Sequence, residues 1–109
     1  MQAQETAISS PSFDVPETAE VSPQYVNPSN MYTYRAYFGT YNGTLVYRLN
    51  WGIITKSSHV FVEASEGFIG SASYTVHNVA PHDGYVLVRL TVDWGSPIDV
   101  YIDYLVING

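Results

Sequence analysis

The sequence predicts an all-β domain: a small antiparallel sandwich or flattened barrel of about six strands, preceded by an extended arm. Three observations carry this. From Met31 onward apolar and polar residues alternate with period two, and no helical face interrupts them. Ten tyrosines and two tryptophans load the chain with side chains that favour strands. Two turn dipeptides, Asn42-Gly43 and Asp83-Gly84, punctuate the alternation where hairpins would reverse.

Residues 1–30 form the arm and 31–109 the β-domain. Four of the six prolines (Pro11, Pro16, Pro23, Pro28) and five serines fall in the arm, which carries Glu5, Asp14, Glu17 and Glu20 and no base. Prolines remove backbone donors and favour extended geometry, so no helix or long strand is expected there. Phe13, Val15, Val21, Tyr25 and Val26 are apolar anchors that a purely solvating tail does not need. They are expected to dock on a neighbouring subunit. Deletion of residues 1–30 is then expected to leave the β-domain folded.

Strands are expected near 32–40, 44–54, 59–65, 70–79, 85–93 and 98–107. A two-residue turn at Asn42-Gly43 pairs Tyr41 with Thr44, and so Phe38 with Tyr47, Ala36 with Leu49 and Tyr34 with Trp51. A three-residue loop, His82-Asp83-Gly84, pairs Val76 with Leu90 and Tyr74 with Val92. Across the last connection, Val92, Leu90 and Val88 oppose Ile98, Val100 and Ile102. That register sets Arg89 against Tyr101 on the outer side, diagonal to Asp99 and Asp103.

Two of these strands resemble each other. Asn42-Gly-Thr-Leu-Val-Tyr-Arg-Leu-Asn-Trp-Gly52 is echoed by Asp83-Gly-Tyr-Val-Leu-Val-Arg-Leu-Thr-Val-Asp-Trp-Gly95. Each meets Arg-Leu five residues after its first glycine. The spacing suggests an internal duplication of two three-strand meanders packed face to face.

Composition narrows the function. Ten carboxylates against four Lys or Arg leave a net charge of −6, which phosphate and anionic lipid both repel, so neither nucleic acid nor a membrane is an expected partner. The first residues lack a basic region followed by an apolar run, and synthesis in a cytoplasm is expected. With no cysteine, the chain has neither a disulfide frame nor a thiolate nucleophile.

No catalytic set is expected. No serine lies in a Gly-x-Ser-x-Gly elbow. Asp99 and Asp103 are four strand residues apart, ~13 Å, too far for a glycosidase pair. His59, His77 and His82 lack paired ligand spacing, so no metal or cofactor is expected. The residues expected at surface contacts are Trp94, in a loop beside Asp93, Gly95 and Pro97, and the outer row His77, Arg89 and Tyr101. Of the two Trp-Gly units, Trp51 falls on the core face. Asn42-Gly-Thr44 also fits a glycosylation acceptor and is read as a turn.

These features point to a structural protein that assembles with itself or a larger protein lattice. A virion component is expected, such as a capsid decoration or minor coat protein. The alternative is a carbohydrate-binding module using Trp94 and the tyrosines, with calcium held by Asp93, Asp99 or Asp103.

Overall fold

The computed structural model describes residues 11–16, 30–65 and 72–108. Seven strands form two sheets packed as a β-sandwich: β1 (Ser12–Asp14), β2 (Met31–Tyr41), β3 (Gly43–Asn50), β4 (His59–Ser65), β5 (Ser73–His82), β6 (Tyr85–Asp93) and β7 (Ile98–Ile107). One sheet has the order β1-β3-β6-β5 and the other β2-β7-β4. The all-β expectation is met, with a seventh strand contributed by the arm.

The core comes from alternation. Tyr47 and Leu49 of β3, Val86, Val88, Leu90 and Val92 of β6, and Val100, Ile102, Tyr104 and Val106 of β7 all point inward and are buried. Fully burying such a side chain contributes about 1.5–3 kcal/mol, so the two central strands, β6 and β7, dominate the stability of the domain.

Strand partners differ from expectation. The Asn42-Gly43 turn does not close a hairpin, because β2 and β3 lie in different sheets. β2 pairs antiparallel with β7, and β3 with β6. The residues expected to be neighbours nevertheless meet. Phe38 and Tyr47 make an edge contact with ring centroids 5.2 Å apart, and Tyr34 and Trp51 lie 5.7 Å apart. They meet across the core instead of side by side, since alternation specifies a face and not a partner. The β6–β7 hairpin fails in the same way: the inward rows of β6 and β7 join one core from opposite sheets.

The Asp83-Gly84 hairpin does form, with a different construction. His82 pairs with Tyr85 across a two-residue turn in which Gly84 takes φ +89°. Val76 still pairs with Leu90 and Tyr74 with Val92, because a β-bulge between Val76 and Asn78 absorbs the odd residue. The extra residue is His77, not a third loop residue. Pro81 lies in the pairing, and β5 tolerates it as an edge strand.

The two meanders do not exist. β2 crosses to the opposite sheet from β3, whereas β5 stays beside β6. The similarity between β3 and β6 has a more local meaning. The two strands pair so that Arg48 meets Leu87, Tyr47 meets Val88 and Val46 meets Arg89. Each segment thus maps onto the other about a local two-fold at the Tyr47–Val88 pair, and both arginines are exposed on the outer face.

Part of the arm belongs to the sandwich. β1 runs parallel to β3, with Ser12 beside Arg48, Phe13 beside Leu49 and Asp14 beside Asn50. Arg48 N–H donates to the Pro11 carbonyl (2.8 Å) and Val15 N–H to that of Asn50 (2.9 Å). Phe13 packs on Tyr34 and Phe38, and Val15 is 9% exposed. The expectation that Phe13 and Val15 dock on another chain is therefore corrected. They cover the edge that β3 would otherwise present. Val21, Tyr25 and Val26 lie outside the described residues.

After β3 the chain turns at Trp51 instead of continuing as strand to residue 54. Trp51 N–H donates to the Gly84 carbonyl (2.9 Å) and Gly84 N–H to that of Ile54 (2.7 Å), fastening this loop to the β5–β6 turn. Ser58 donates to the Asn108 side chain, whose amide reaches the Ile53 carbonyl at 2.8 Å. The end of β7 is thereby tied to the same loop.

Two predictions follow from the packing. Phe13→Ala lowers unfolding stability by about 1–2 kcal/mol in urea titration, the share of a full core truncation due to a half-buried ring. An unchanged midpoint would return the arm to a partner chain. The hydroxyls of Tyr47 and Tyr104 are buried without a hydrogen-bond partner among the described residues. Tyr47→Phe and Tyr104→Phe each stabilise the domain by about 1 kcal/mol, because an orphaned polar group is removed. Burial raises the Tyr47 phenol from 10.0 to about 12, and the Tyr104 phenol also moves up. Because the folded value lies above the unfolded one, the phenol leaves stability unchanged with pH below 10 and lowers it as pH rises from 10 to about 12, where the unfolded chain ionises first. In Tyr47→Phe the alkaline decline in stability is shallower.

Candidate functional site

The two outer faces of the sandwich differ in how far their side chains satisfy one another. On the β1-β3-β6-β5 face the polar groups are joined. The Arg48 guanidinium sits 3.8 Å above the Tyr85 ring, and His82 stacks on Tyr85 with ring centroids 4.7 Å apart and planes 9° from parallel. Arg48 also donates to Asn50 (2.7 Å), and Asn50 donates to Asp14 (2.6 Å). His77 Nε2 lies 2.7 Å from Thr91 Oγ1, and Arg89 donates to Asn78 at 3.1 Å. This is a cross-linked polar surface.

The expected row His77–Arg89–Tyr101 is not assembled. His77 and Arg89 stand on this face, while Tyr101 stands on the outer face of the other sheet. Arg89 consequently cannot partner Asp103. That role belongs to Arg35, which grips Asp103 with both prongs, Nε–Oδ1 at 2.6 Å and Nη2–Oδ2 at 3.0 Å.

The β2-β7-β4 face is built in rows: Tyr37 with Tyr101 and Ser65, Arg35 with Asp103 and Glu63, Thr33 with Leu105 and Phe61, and Met31 with Ile107 and His59. The twist of the three strands makes a shallow depression of about 700 Å³, bounded by Thr33, Arg35, Phe61, Glu63, Asp103 and Leu105. At one end the Tyr37 and Tyr101 rings lie 4.7 Å apart, and the Tyr37 hydroxyl donates to Asp99 at 2.8 Å. That hydrogen bond, with burial and the Asp99 charge adding to it, holds the Tyr37 phenol above its ordinary range. At the other end Phe61 is 58% exposed. One base, Arg35, stands among three acids, Glu63, Asp99 and Asp103, so this face is acidic.

Phe61 is the residue that sequence reasoning missed. The signal was present: in His59-Val-Phe-Val-Glu the alternation puts His59, Phe61 and Glu63 on one face and the two valines on the other. With β4 expected only as a short third strand, no outward role for it emerged.

Trp94 is 43% exposed in the loop after β6, whereas Trp51 is buried against Tyr32 and Tyr34. The Asn42 side chain donates to the Trp94 carbonyl at 3.1 Å and joins the two loops at that end of the sandwich. Two of the three carboxylates considered for calcium are engaged separately, Asp99 with Tyr37 and Asp103 with Arg35. Among the described residues no three His, Cys, Asp or Glu side chains converge as metal ligands.

Comparison with protein-family models, with curated proteins and with solved structures finds no match for this chain.

Proposed function

We propose that the domain is a structural module of a protein assembly, a virion component of the capsid-decoration or minor-coat kind, and that it binds through the outer face of β2-β7-β4. The observation that carries this reading is Phe61, 58% exposed beside Leu105 at the rim of the depression. A large aromatic held outward on a rigid strand loses little conformational freedom on binding and supplies the kind of anchor on which interfaces concentrate their energy. The opposite face supports the choice by contrast, since its polar side chains already satisfy one another.

A second reading rests on a separate observation. Tyr37 and Tyr101 form a paired aromatic platform flanked by Asp99 and the Arg35–Asp103 pair, and a sugar ring could stack there with its hydroxyls on the carboxylates. The two readings separate on mutation. Phe61→Lys abolishes association in sedimentation velocity and leaves the thermal midpoint within about 4 °C of the parent, as befits an exposed position. Tyr101→Ala leaves association intact if the site is a protein interface. Glycan-array binding lost on Tyr37→Ala or Tyr101→Ala, with Phe61→Lys inert, would select the sugar site instead.

A further inference from the structure

Three of the four sheet edges carry devices that discourage pairing with another chain. β1 is only three residues long. β5 is bulged at His77 and contains Pro81. β2 is bulged between Tyr37 and Gly39, where the glycine takes φ +107°, and Phe13 packs on its Tyr34 and Phe38. Short, bulged, proline-bearing or covered edges are the usual protections against strand addition.

Among the described residues, β4 has none of them. It runs seven residues in unbroken register with β7, holds no proline, and carries Glu63 as its one acid. No ladder joins it to β5, the strand nearest it in the other sheet. Its residues combine high β propensity with low charge, which is what makes a strand adhesive.

We propose that β4 pairs antiparallel with β4 of a second copy about a two-fold axis at Phe61, so that two three-strand sheets become one of six. This rests on the assembly reading and names the partner of the same face. The choice of a second copy comes from the strand's self-complementarity. Side chains opposite one another in an antiparallel pair lie on the same face, so the dyad must fall on a residue.

With the axis at Phe61, the two Phe61 rings oppose each other. His59 meets Glu63 of the second copy twice, an imidazole donor against a carboxylate acceptor. On the inner face Val60 meets Val62 twice. An axis at Val62 sets Phe61 against Glu63 and leaves His59 against Ser65. An axis at Glu63 sets the two Glu63 carboxylates against each other. Of these three axes, the one at Phe61 alone matches chemistry at every pair from His59 to Glu63. It also brings the two 700 Å³ depressions side by side, with the aromatic pair between them.

The chain contains no cysteine, so single thiols report the register. Opposed residues in antiparallel strands have Cα atoms about 4.5–5.5 Å apart, within the range a disulfide spans. Under mild oxidation a mixture of His59→Cys and Glu63→Cys, which keeps both Phe61 rings, is expected to form a disulfide dimer at least about tenfold faster than Thr75→Cys, which is exposed on the other sheet. Each of the two alone forms no disulfide, because four strand residues (~13 Å) separate like positions. Circular dichroism and the thermal midpoint confirm that each variant is folded. Cross-linking of Glu63→Cys alone would overturn the Phe61 axis. If the mixture is no faster than Thr75→Cys while the parent chain still assembles, β4 pairing falls and the assembly reading survives. A parent chain monomeric to millimolar concentration that binds no protein partner sinks both.

Discussion

β6 and β7 follow one another in sequence, are the most continuously apolar strands of the chain, and cannot be neighbours. Each has an inward row that is wholly buried and an outward row that is half-buried in places, so each needs a strand on both sides. Paired together in one sheet, they would leave the other sheet without a central apolar strand. Placed in opposite sheets, each becomes a centre, and the remaining strands distribute around them as β3 and β5 about β6 and β2 and β4 about β7. The four residues 94–97 make the crossing. Most other features of the fold depend on that separation, including the failure of the Asn42-Gly43 hairpin, since β2 and β3 are drawn to different centres.

A run of aromatic contacts binds the two sheets along the β1–β2 side. Phe13 touches Tyr34 and Phe38, Tyr34 touches Trp51, and Phe38 and Tyr41 both meet Tyr47 edge-on. Edge and tilted geometries let a small core be filled by large rings without stacking them face to face. The heavy use of tyrosine has a cost at the centre. At Tyr47 and Tyr104 the ring is wanted for its volume and the hydroxyl comes with it, buried and unpaired. A domain of this size, without disulfides, retains that cost because the ring area outweighs it.

Much of the fold was legible in the sequence, and most of the misreadings share one physical origin. Strand positions, inward and outward assignments, the Val76–Leu90 and Tyr74–Val92 pairs and the burial of Trp51 all follow from alternation and turn chemistry. Partners do not. Phe38 and Tyr47 satisfy the same pattern whether side by side or facing across a core, and only competition among all strands for the two central positions decides between them. Every error about the site descends from this. With β6 misplaced beside β7, Arg89 was given the carboxylate that Arg35 holds, and His77 was joined to a tyrosine on the far side of the molecule. The arm was misjudged for another reason: a three-residue parallel strand has no periodicity to detect, and its partner β3 is remote in sequence. Phe61 was readable from β4 alone, and was passed over because β4 had no assigned neighbours.

The position of β7 in the chain has a consequence for how the domain comes into being. Among the described residues it is the last strand in order, yet it is the only one to which β2 and β4 are hydrogen-bonded within their sheet. During synthesis those two strands emerge early and must wait, with apolar faces and both edges open, until residues 98–107 arrive. Half of the sandwich therefore forms in a single late closure of long loops, a topology that folds slowly because distant segments must meet before any of them is rewarded. The β3–β6–β5 sheet can assemble first and offer a surface for that closure. β4, whose edge has the least protection, is thus the segment most exposed to mispairing in the nascent chain, and the interval before β7 arrives is when a chaperone has most to offer.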